Sequence, residues 1–133
     1  MISKSKKILS EISPGELLDK ISILEIKLEK IQAKNSLIEI TKEHNILKKI
    51  QNSSIKMSTK VENLYKSLKE INLNLWNIED KIRICEKNKD FGQNFIKLAR
   101  SVYFNNDKRA KIKSEINELL GSDIKEIKQY VNY

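Results

Sequence analysis

The chain has 133 residues, which is enough for one domain and too few for two. Only 39% of the residues are hydrophobic, and 3 Gly and 1 Pro are too few turn-formers for a sandwich, a barrel or a doubly wound sheet. No apolar run approaches the roughly 20 residues that cross a bilayer, and residues 1–12 lack the apolar core of a secretory signal. One cysteine excludes an internal disulfide. We therefore expect an all-helical protein of the cytoplasm, without a membrane partner.

The net charge of +8 is spread along the chain. Lysine supplies 23 of the 26 basic residues, and no arm or stripe concentrates them. The densest basic patch, at residues 108–113, has acidic residues around it and no base-stacking aromatic residues nearby. This distribution is typical of a solvated surface and disfavours nucleic acid as a partner.

Four helix starts are predicted by the capping box, in which an N-cap side chain and the residue three positions later satisfy each other's unpaired amide groups. Each pair stands where an apolar period begins. The four pairs are Ser13–Glu16, Ser36–Glu39, Thr59–Glu62 and Asp90–Gln93.

The first predicted helix covers about 14–34 and has Pro14 at the favoured first helical position. Its apolar residues from Leu17 to Ile31 recur at steps of four and three, which places them on one stripe. Ile23 and Ile26 fall on the opposite side. This helix therefore either lies centrally in the bundle or presents a second apolar face to another chain.

The second predicted helix covers about 37–52 and has a weaker stripe, from Leu37 to Ile50. The polar residues that follow favour a loop at 52–58.

The third predicted helix, at about 60–88, has the most regular pattern. Its apolar residues alternate steps of three and four from Val61 to Cys85, which is typical of coiled-coil-like packing. Asn88 and Lys89 turn the chain, and a fourth helix follows at about 91–120 and ends at Gly121. The short turn predicts an antiparallel hairpin. We therefore predict an all-α antiparallel bundle of three to four helices, built on this long coiled-coil-like hairpin.

The fourth predicted helix is less regular, because Asn105 and Arg109 occupy positions of its apolar stripe. The segment 105–107 is compatible with the N-cap of a fresh helix, a kink in a continuous helix, or polar groups inside the bundle. Residues 122–133 form either one more turn or a tail strapped to the bundle. The predicted organisation is a basic, flexible segment at 1–12, a helical bundle domain at 13–121 and a tail at 122–133.

Three strings of the sequence carry a resemblance: SPGELLDKISILEIKLEKI (13–31), LWNIEDKIR (75–83) and FGQNFIKLARSVYFNNDKRAKIKSEINELLGS (91–122). Together they resemble a family of short bacterial helical proteins that is catalogued as a domain of unknown function. The resemblance extends from Ser13 to about Tyr130 and implies a compact, single-domain cytoplasmic protein without an established activity. The pattern falls at Ser13, Pro14, Gly15, Glu16, Asp19, Lys20, Trp76, Glu79, Asp80, Arg83, Arg100, Tyr103, Asn106, Asp107, Arg109 and Gly121.

The first candidate site lies on the third predicted helix. Trp76, Glu79, Asp80 and Arg83 stand at i, i+3, i+4 and i+7, so they share one face and suit a small polar ligand. The structural alternative is an i,i+4 ion pair between Glu79 and Arg83, with Trp76 shielding the edge of the core. We favour this structural interpretation.

Further candidates surround the polar break of the fourth predicted helix: Arg100, Tyr103, Asn106, Asp107 and Arg109. In an antiparallel hairpin, Arg100 lies within about a turn of the level of Glu79 and Asp80. We therefore predict an interhelical cluster of these two acids with Arg83 and Arg100. Such a cluster either fixes the register of the helices or binds a carboxylate or phosphate through its arginines, and we favour the structural role.

Catalytic and metal-binding patterns are missing from the sequence. The single histidine, His44, and the single cysteine, Cys85, are far apart, which supports neither a metal site nor a cysteine–histidine nucleophile. Cys85 falls at a core position of its helix and is predicted to be a small buried apolar residue. We expect no cofactor and no enzymatic activity.

The leading functional hypothesis is a non-enzymatic interaction or scaffold module, which acts as a homodimer or through a helix of a partner protein. The alternative is a binding protein or enzyme for a small anionic metabolite, using the three arginines and the Glu79–Asp80 pair. A weaker alternative is non-specific nucleic-acid binding, for which salt-dependent retention on DNA or RNA is the test.

Overall fold

The computed structural model describes residues 6–133, and in this range the chain forms four helices and no strand. The helices are α1 (Pro14–Lys30), α2 (Lys34–Ser54), α3 (Thr59–Lys87) and α4 (Gln93–Leu119). They pack against one another as a helical bundle, which confirms the predicted fold class. None of these helices combines the length and the hydropathy that crossing a bilayer requires.

The hairpin of α3 and α4 is the longest part of the bundle. The start of α3 packs against the end of α4, where Val61 and Leu68 form a core with Ile116. At the other end, the Asn94 side chain lies 3.8 Å from the sulfur of Cys85, and residues 88–92 join the two helices. The helices are therefore antiparallel, and their bounds agree with the predicted ones within two residues.

Helix α1 lies centrally, because it contacts all three other helices. Its first turns contact α4, where the Gly15 N–H donates to the Asn117 side chain. Its later turns contact α3, where Tyr65 donates a hydrogen bond to Glu25. Helix α1 therefore crosses the hairpin from one helix to the other. Its two apolar faces allowed either a central position or a contact with another chain, and in the structure it is central.

Helix α2 packs against α1 and is the outermost element. A three-residue break at 31–33 separates the two helices, so α1 ends earlier and α2 is longer than predicted. The loop after α2 is shorter than the predicted 52–58 and is not simply polar, because Ile55 and Met57 turn inward against the core. Helix α2 therefore continues to Ser54, through polar residues that were predicted to form a loop.

Of the four predicted caps, Ser13 is correct: its Oγ accepts from the N–H of Glu16 at 3.1 Å. The cap of α3 is Ser58 rather than Thr59, one residue earlier with the same hydroxyl chemistry. The predictions at Ser36 and Asp90 are wrong, because α2 starts after Ala33 and α4 starts after Gly92, both without a side-chain cap. Asp90 instead accepts from the N–H of Gly92 in the turn.

Helix α4 runs unbroken through the polar segment at 105–107. The Asn105 side chain donates to the carbonyl of Ser101 one turn earlier, and Gly121 ends the helix with φ of 66°, as its C′ position predicts. After it, residues 125–133 form no helix and return along α4, where Glu126 pairs with Lys113 and Tyr133 donates to Asp107. At the other end, residues 6–12 are exposed and non-helical, and residues 1–5 of the predicted basic segment lie outside the described range.

Candidate functional site: a buried polar seam and the pocket beside it

A row of polar contacts joins the first turns of α1 to the last turns of α4 and to Asn72 of α3, and we call it the polar seam. The residues on α4 are Asn117, Lys113 and Arg109, which are spaced by four and therefore lie on one face of the helix. Their partners on α1 are Gly15, Glu16 and Asp19, respectively. The seam holds together residues that are 90 to 102 positions apart in the sequence.

Asp19 lies at the centre of the seam and is only 1% exposed. Arg109 donates to both of its oxygens, from Nε to Oδ1 at 2.9 Å and from Nη2 to Oδ2 at 2.5 Å. Asn72 of α3 also donates to Oδ1, at 2.9 Å, and to the hydroxyl of Ser22. One carboxylate therefore joins α1 to both helices of the hairpin.

The protonation of Asp19 is decided by opposing effects. Burial alone would raise the pKa of its carboxyl group, but the hydrogen bonds from Arg109 and Asn72 and the nearby positive charges outweigh burial and lower that pKa. In turn, the hydrogen bond to Asp19 raises the pKa of the Arg109 guanidinium. The pair is therefore fully ionised at neutral pH, and it supplies both charges with hydrogen bonds, as a buried ion pair requires.

Lys113 forms the middle contact of the seam. Its Nζ lies 2.7 Å from Glu16 of α1 and 3.2 Å from Glu126 of the tail. Burial would lower the pKa of this lysine, but the hydrogen bond to Glu16 and the surrounding carboxylates raise it. Lys113 thus connects α4 both to α1 and to the tail.

Gly15 allows α1 and α4 to approach closely enough for the seam to form. A Cβ atom at this position would lie 2.6 Å from the backbone oxygen of Lys113 and 2.7 Å from the Asn117 side chain. Backbone atoms cannot move away as a flexible side chain can, so any larger residue would separate the two helices.

A pocket of about 410 Å³ lies beside the seam, between α1 and α3, and we call it the wedge pocket. Its apolar walls are Ile23 and Ile26 of α1 and Leu75 and Trp76 of α3. Polar side chains complete the lining: Asn72 and Arg109 from the seam, and Glu79, Asp80 and Arg83 from the next turns of α3. The second apolar face of α1 is therefore one wall of this pocket.

The first predicted group, Trp76, Glu79, Asp80 and Arg83, does lie together, on one side of the wedge pocket. Glu79 and Arg83 form the i,i+4 ion pair expected from their spacing, with 3.6 Å between Oε2 and Nε. Both side chains are largely exposed, so this pair contributes at most a few tenths of a kcal/mol to folding.

The predicted interhelical cluster is wrong about its α4 arginine. Within residues 6–133, Arg100 forms no ion pair with Glu79 or Asp80, and its guanidinium lies instead 5.8 Å from the ring centre of Phe104. The antiparallel hairpin predicts the height of Arg100 along α3 but not the direction of its side chain. Arg109 is the α4 arginine that reaches this pocket.

The remaining candidates, Tyr103, Asn106 and Asp107, lie away from the wedge pocket. With Tyr130, Val131 and Tyr133 of the tail they line a separate cavity of about 390 Å³. The hydroxyl of Tyr133 donates to Asp107, which raises the pKa of this tyrosine to about 12. These candidates therefore contact the tail rather than the polar seam.

The seam residues Asn72, Lys113 and Asn117 were missed by the sequence analysis, and Asp19 entered it only through the family resemblance. One signal points to Asp19: it is a charged residue between the buried apolar residues Leu18 and Ile21. Such a position requires a partner of opposite charge. The sequence alone does not identify that partner.

The other reactive side chains are used in packing. Cys85 is buried, as its core position predicts. The imidazole of His44 lies 3.4 Å from Glu25, which also accepts from Tyr65. In the described part of the chain, no group of three or more His, Cys, Asp or Glu residues is arranged to hold a metal ion.

Residues 8–132 match the model of a family that is described as a family of unknown function, DUF6165. No curated protein and no solved structure matches the sequence.

Proposed function

The chain belongs to this family of unknown function, and we propose that it is a non-enzymatic helical interaction module that pairs with a second copy of itself. The contact surface is the end of the α3–α4 hairpin, residues 75–104, which we call the hairpin end. The supporting observation is that α1 covers the other half of the hairpin and leaves this half as two helices.

The partial cover is visible along α3. Helix α1 forms its hydrogen bonds with α3 at residues 65–72 and with α4 at 109–117. In the covered half, Val61 and Leu68 of the apolar stripe are completely buried. Leu64 and Ile71, which lie between and after them, are half-buried. In the hairpin end, Ile78 and Ile82 of the same stripe are half-buried, and the small Cys85 is the one buried residue of this segment. The apolar interface of two helices by themselves stays open to water along one side. A second pair of helices would cover that side, as in a four-helix bundle.

Large apolar side chains are exposed on the hairpin end, as they also are on α2 and on the two terminal segments. Exposed residues of this kind within the hairpin end are Ile84, Phe91, Ile96, Tyr103 and Phe104. Tyr103 and Phe104 also pack against Tyr133 of the tail, which leaves Ile84, Phe91 and Ile96 for a contact with a second copy, and exposed apolar side chains are typical of interaction sites.

The charges of the hairpin end favour a second copy over a strongly charged partner. Basic and acidic residues are interspersed: Lys81, Arg83, Lys87, Lys89, Lys97 and Arg100 against Glu79, Asp80, Glu86 and Asp90. A nucleic acid or an anionic membrane would require one dominant sign. A surface that carries both signs can complement itself when a two-fold axis relates two copies.

The role we propose is non-enzymatic because the buried ionisable groups are committed to packing. Asp19 pairs with Arg109, and Lys113 pairs with two carboxylates. The single thiol, Cys85, is buried and free, which fits the reducing bacterial cytoplasm that the family resemblance implies.

Light scattering coupled to size exclusion, over a range of protein concentrations, tests the proposal. We expect a particle with twice the mass of one chain at tens of micromolar. Ile96→Glu should shift it to a single chain, because it places a charge in the contact surface. A wild-type protein that remains a single chain at all these concentrations would contradict the proposal.

Ile46→Glu of α2 is the matched control. It makes the same substitution at a helical isoleucine of similar exposure, 54% against 45% for Ile96, outside the hairpin end. We expect Ile46→Glu to remain a dimer. If both variants dissociate equally, the hairpin end is not the contact surface.

A further inference from the structure

We infer that a pocket between α2 and α3 binds a small phosphate monoester whose organic part carries a hydroxyl group. The pocket has a volume of about 550 Å³, and we call it the lysine pocket. Six of its lining residues carry the argument: Lys48 and Gln51 of α2, Met57 of the loop after α2, and Glu62, Lys66 and Lys69 of α3. The inference does not rest on self-association, because all of these residues lie outside the hairpin end.

The lysine pocket exists because α2 and α3 pack on the same helix without packing on each other. Both contact α1, and within the described chain their backbones do not come close to one another. Residues 55–58 join the two helices, and Met57 lines the pocket at this joined end. A ligand in the gap would therefore contact both helices at once.

Gln51 provides a buried polar group without a partner. It is the one buried residue of α2, with 3% of its surface exposed, and it lines the lysine pocket. Its Oε1 has no hydrogen-bond partner in residues 6–133. Buried positions that serve packing alone are usually apolar, and buried polar atoms are nearly always paired. Because the last torsion of a glutamine side chain is broad, this oxygen can turn to accept a hydrogen bond from a ligand hydroxyl.

The charges around the lysine pocket favour an anion. The lining holds three lysines and a single acid, Glu62. Lys69 is paired with carboxylates of α1, whereas Lys48 and Lys66 form no ion pair with any residue of the described range. These two stand on opposite walls, one on α2 and one on α3. A compact phosphate group, which carries nearly two negative charges at neutral pH, suits two ammonium groups that approach from different sides.

Titration of the intact isotope-labelled protein, followed by nuclear magnetic resonance, tests the inference. The probes are glycerol phosphate, methyl phosphate and glycerol, of which only the first has both a phosphate and hydroxyl groups. We expect glycerol phosphate to cause saturable shifts of the Gln51 side-chain amide, methyl phosphate to bind about threefold or more weakly, and glycerol not to bind. Equal affinity for the two phosphates, equal affinity for glycerol, or no saturable shift with any probe would overturn the inference.

Gln51→Met separates a ligand-binding role from a structural one, because it removes the amide and keeps the length of the side chain. We expect it to weaken the binding of glycerol phosphate by about threefold or more. Without ligand, its thermal midpoint should equal or exceed that of the wild type, because an unpaired buried oxygen is lost. Unchanged affinity, or a lower midpoint without ligand, would contradict the role of Gln51.

Lys66→Gln and Lys108→Gln form a matched pair of charge variants. Each removes one positive charge from an exposed helical lysine that has no ion pair within the described residues, and Lys108 of α4 does not line the lysine pocket. We expect Lys66→Gln to weaken the binding of glycerol phosphate by about threefold or more, and Lys108→Gln to leave it unchanged. Equal weakening by both variants would reveal a general attraction of anions to a chain of charge +8 and would overturn the site.

Discussion

Asp19 shows how one buried charge organises the bundle. A carboxylate that is 1% exposed would be costly without partners. Arg109 satisfies both of its oxygens in a two-point contact that the single ammonium group of a lysine does not reproduce. Asn72 adds a hydrogen bond from α3. Because these three residues come from three helices, the carboxylate defines where α1 crosses the hairpin.

The lowered pKa of Asp19 predicts an acid-sensitive fold. A carboxyl group whose pKa is lower in the folded state contributes stability above its unfolded pKa of about 3.9, and this stability is lost as the pH falls toward the folded pKa. We expect the free energy of unfolding, measured with urea, to fall steeply below about pH 4.

Asp19→Asn tests this assignment. We expect it to destabilise the protein by about 3 kcal/mol at pH 7, because it leaves Arg109 without its counter-charge. Below about pH 4 the gap between variant and wild type should narrow. Glu79→Gln, which alters an exposed ion pair, should change stability by less than about 0.5 kcal/mol at either pH. A constant gap between Asp19→Asn and wild type would show that another group causes the acid sensitivity.

Helix α3 illustrates how one regular pattern meets two environments. At about 1.5 Å per residue its 29 residues span roughly 43 Å. Its apolar stripe has the same period throughout, yet Leu68 is completely buried while Leu75, one heptad later, is half-buried at the wedge pocket. Periodicity identifies which face of the helix is apolar, whereas the crossing of α1 decides how much of that face is covered.

Replacing each of these two leucines by alanine should reveal the difference. Leu68→Ala should cost about 3 kcal/mol of unfolding free energy, because it removes a fully enclosed side chain and leaves a cavity. Leu75→Ala should cost about 1–2 kcal/mol, because part of its surface already contacts water. Urea unfolding of both variants is the measurement, and equal losses would contradict the uneven cover of α3.

At the scale of the whole molecule, the bundle consists of a well-connected centre and an outlying helix. Helix α1 contacts every other helix, whereas α2 packs against α1. In α2 only Gln51 is buried, and Ile38, Ile46 and Ile50 are exposed. Few buried apolar contacts mean that a helix opens more easily than the rest of a domain.

Hydrogen exchange under native conditions tests this uneven stability. We expect the amides of α2 to exchange through local opening, well before those of α3 around residues 61–72. The α3 amides should exchange only on global unfolding. Equal protection of α2 and α3 would show that α2 is an integral part of the core.

The polar seam also connects the fold to the proposed function. The seam holds α1 against Asn72 of α3 and residues 109–117 of α4, and with the contact between Tyr65 and Glu25 it covers one half of the hairpin and leaves the other half open. The wedge pocket lies where this cover ends. The open half and the pocket are therefore consequences of one arrangement.

Local patterns in the sequence predict the helices, the hairpin and the burial of Cys85, because helical period, turn residues and chain direction act over a few neighbouring positions. Helix ends are less predictable, as Ser36 and Asp90 show. The direction in which the chain must leave one helix and enter the next can place the helix start away from a residue that is able to cap it. The spacing of Trp76, Glu79, Asp80 and Arg83 was sufficient to place them on one face.

Only the tertiary structure decided which charges meet. The choice of Arg109 over Arg100, and the pairing of Asp19 with residues 53 and 90 positions away, depend on where α1 crosses the hairpin. That crossing depends on the close approach at Gly15 and on the shapes of packed side chains. The periodicity of each helix specifies neither this close approach nor this packing, because it describes the faces of single helices and not the distances between them.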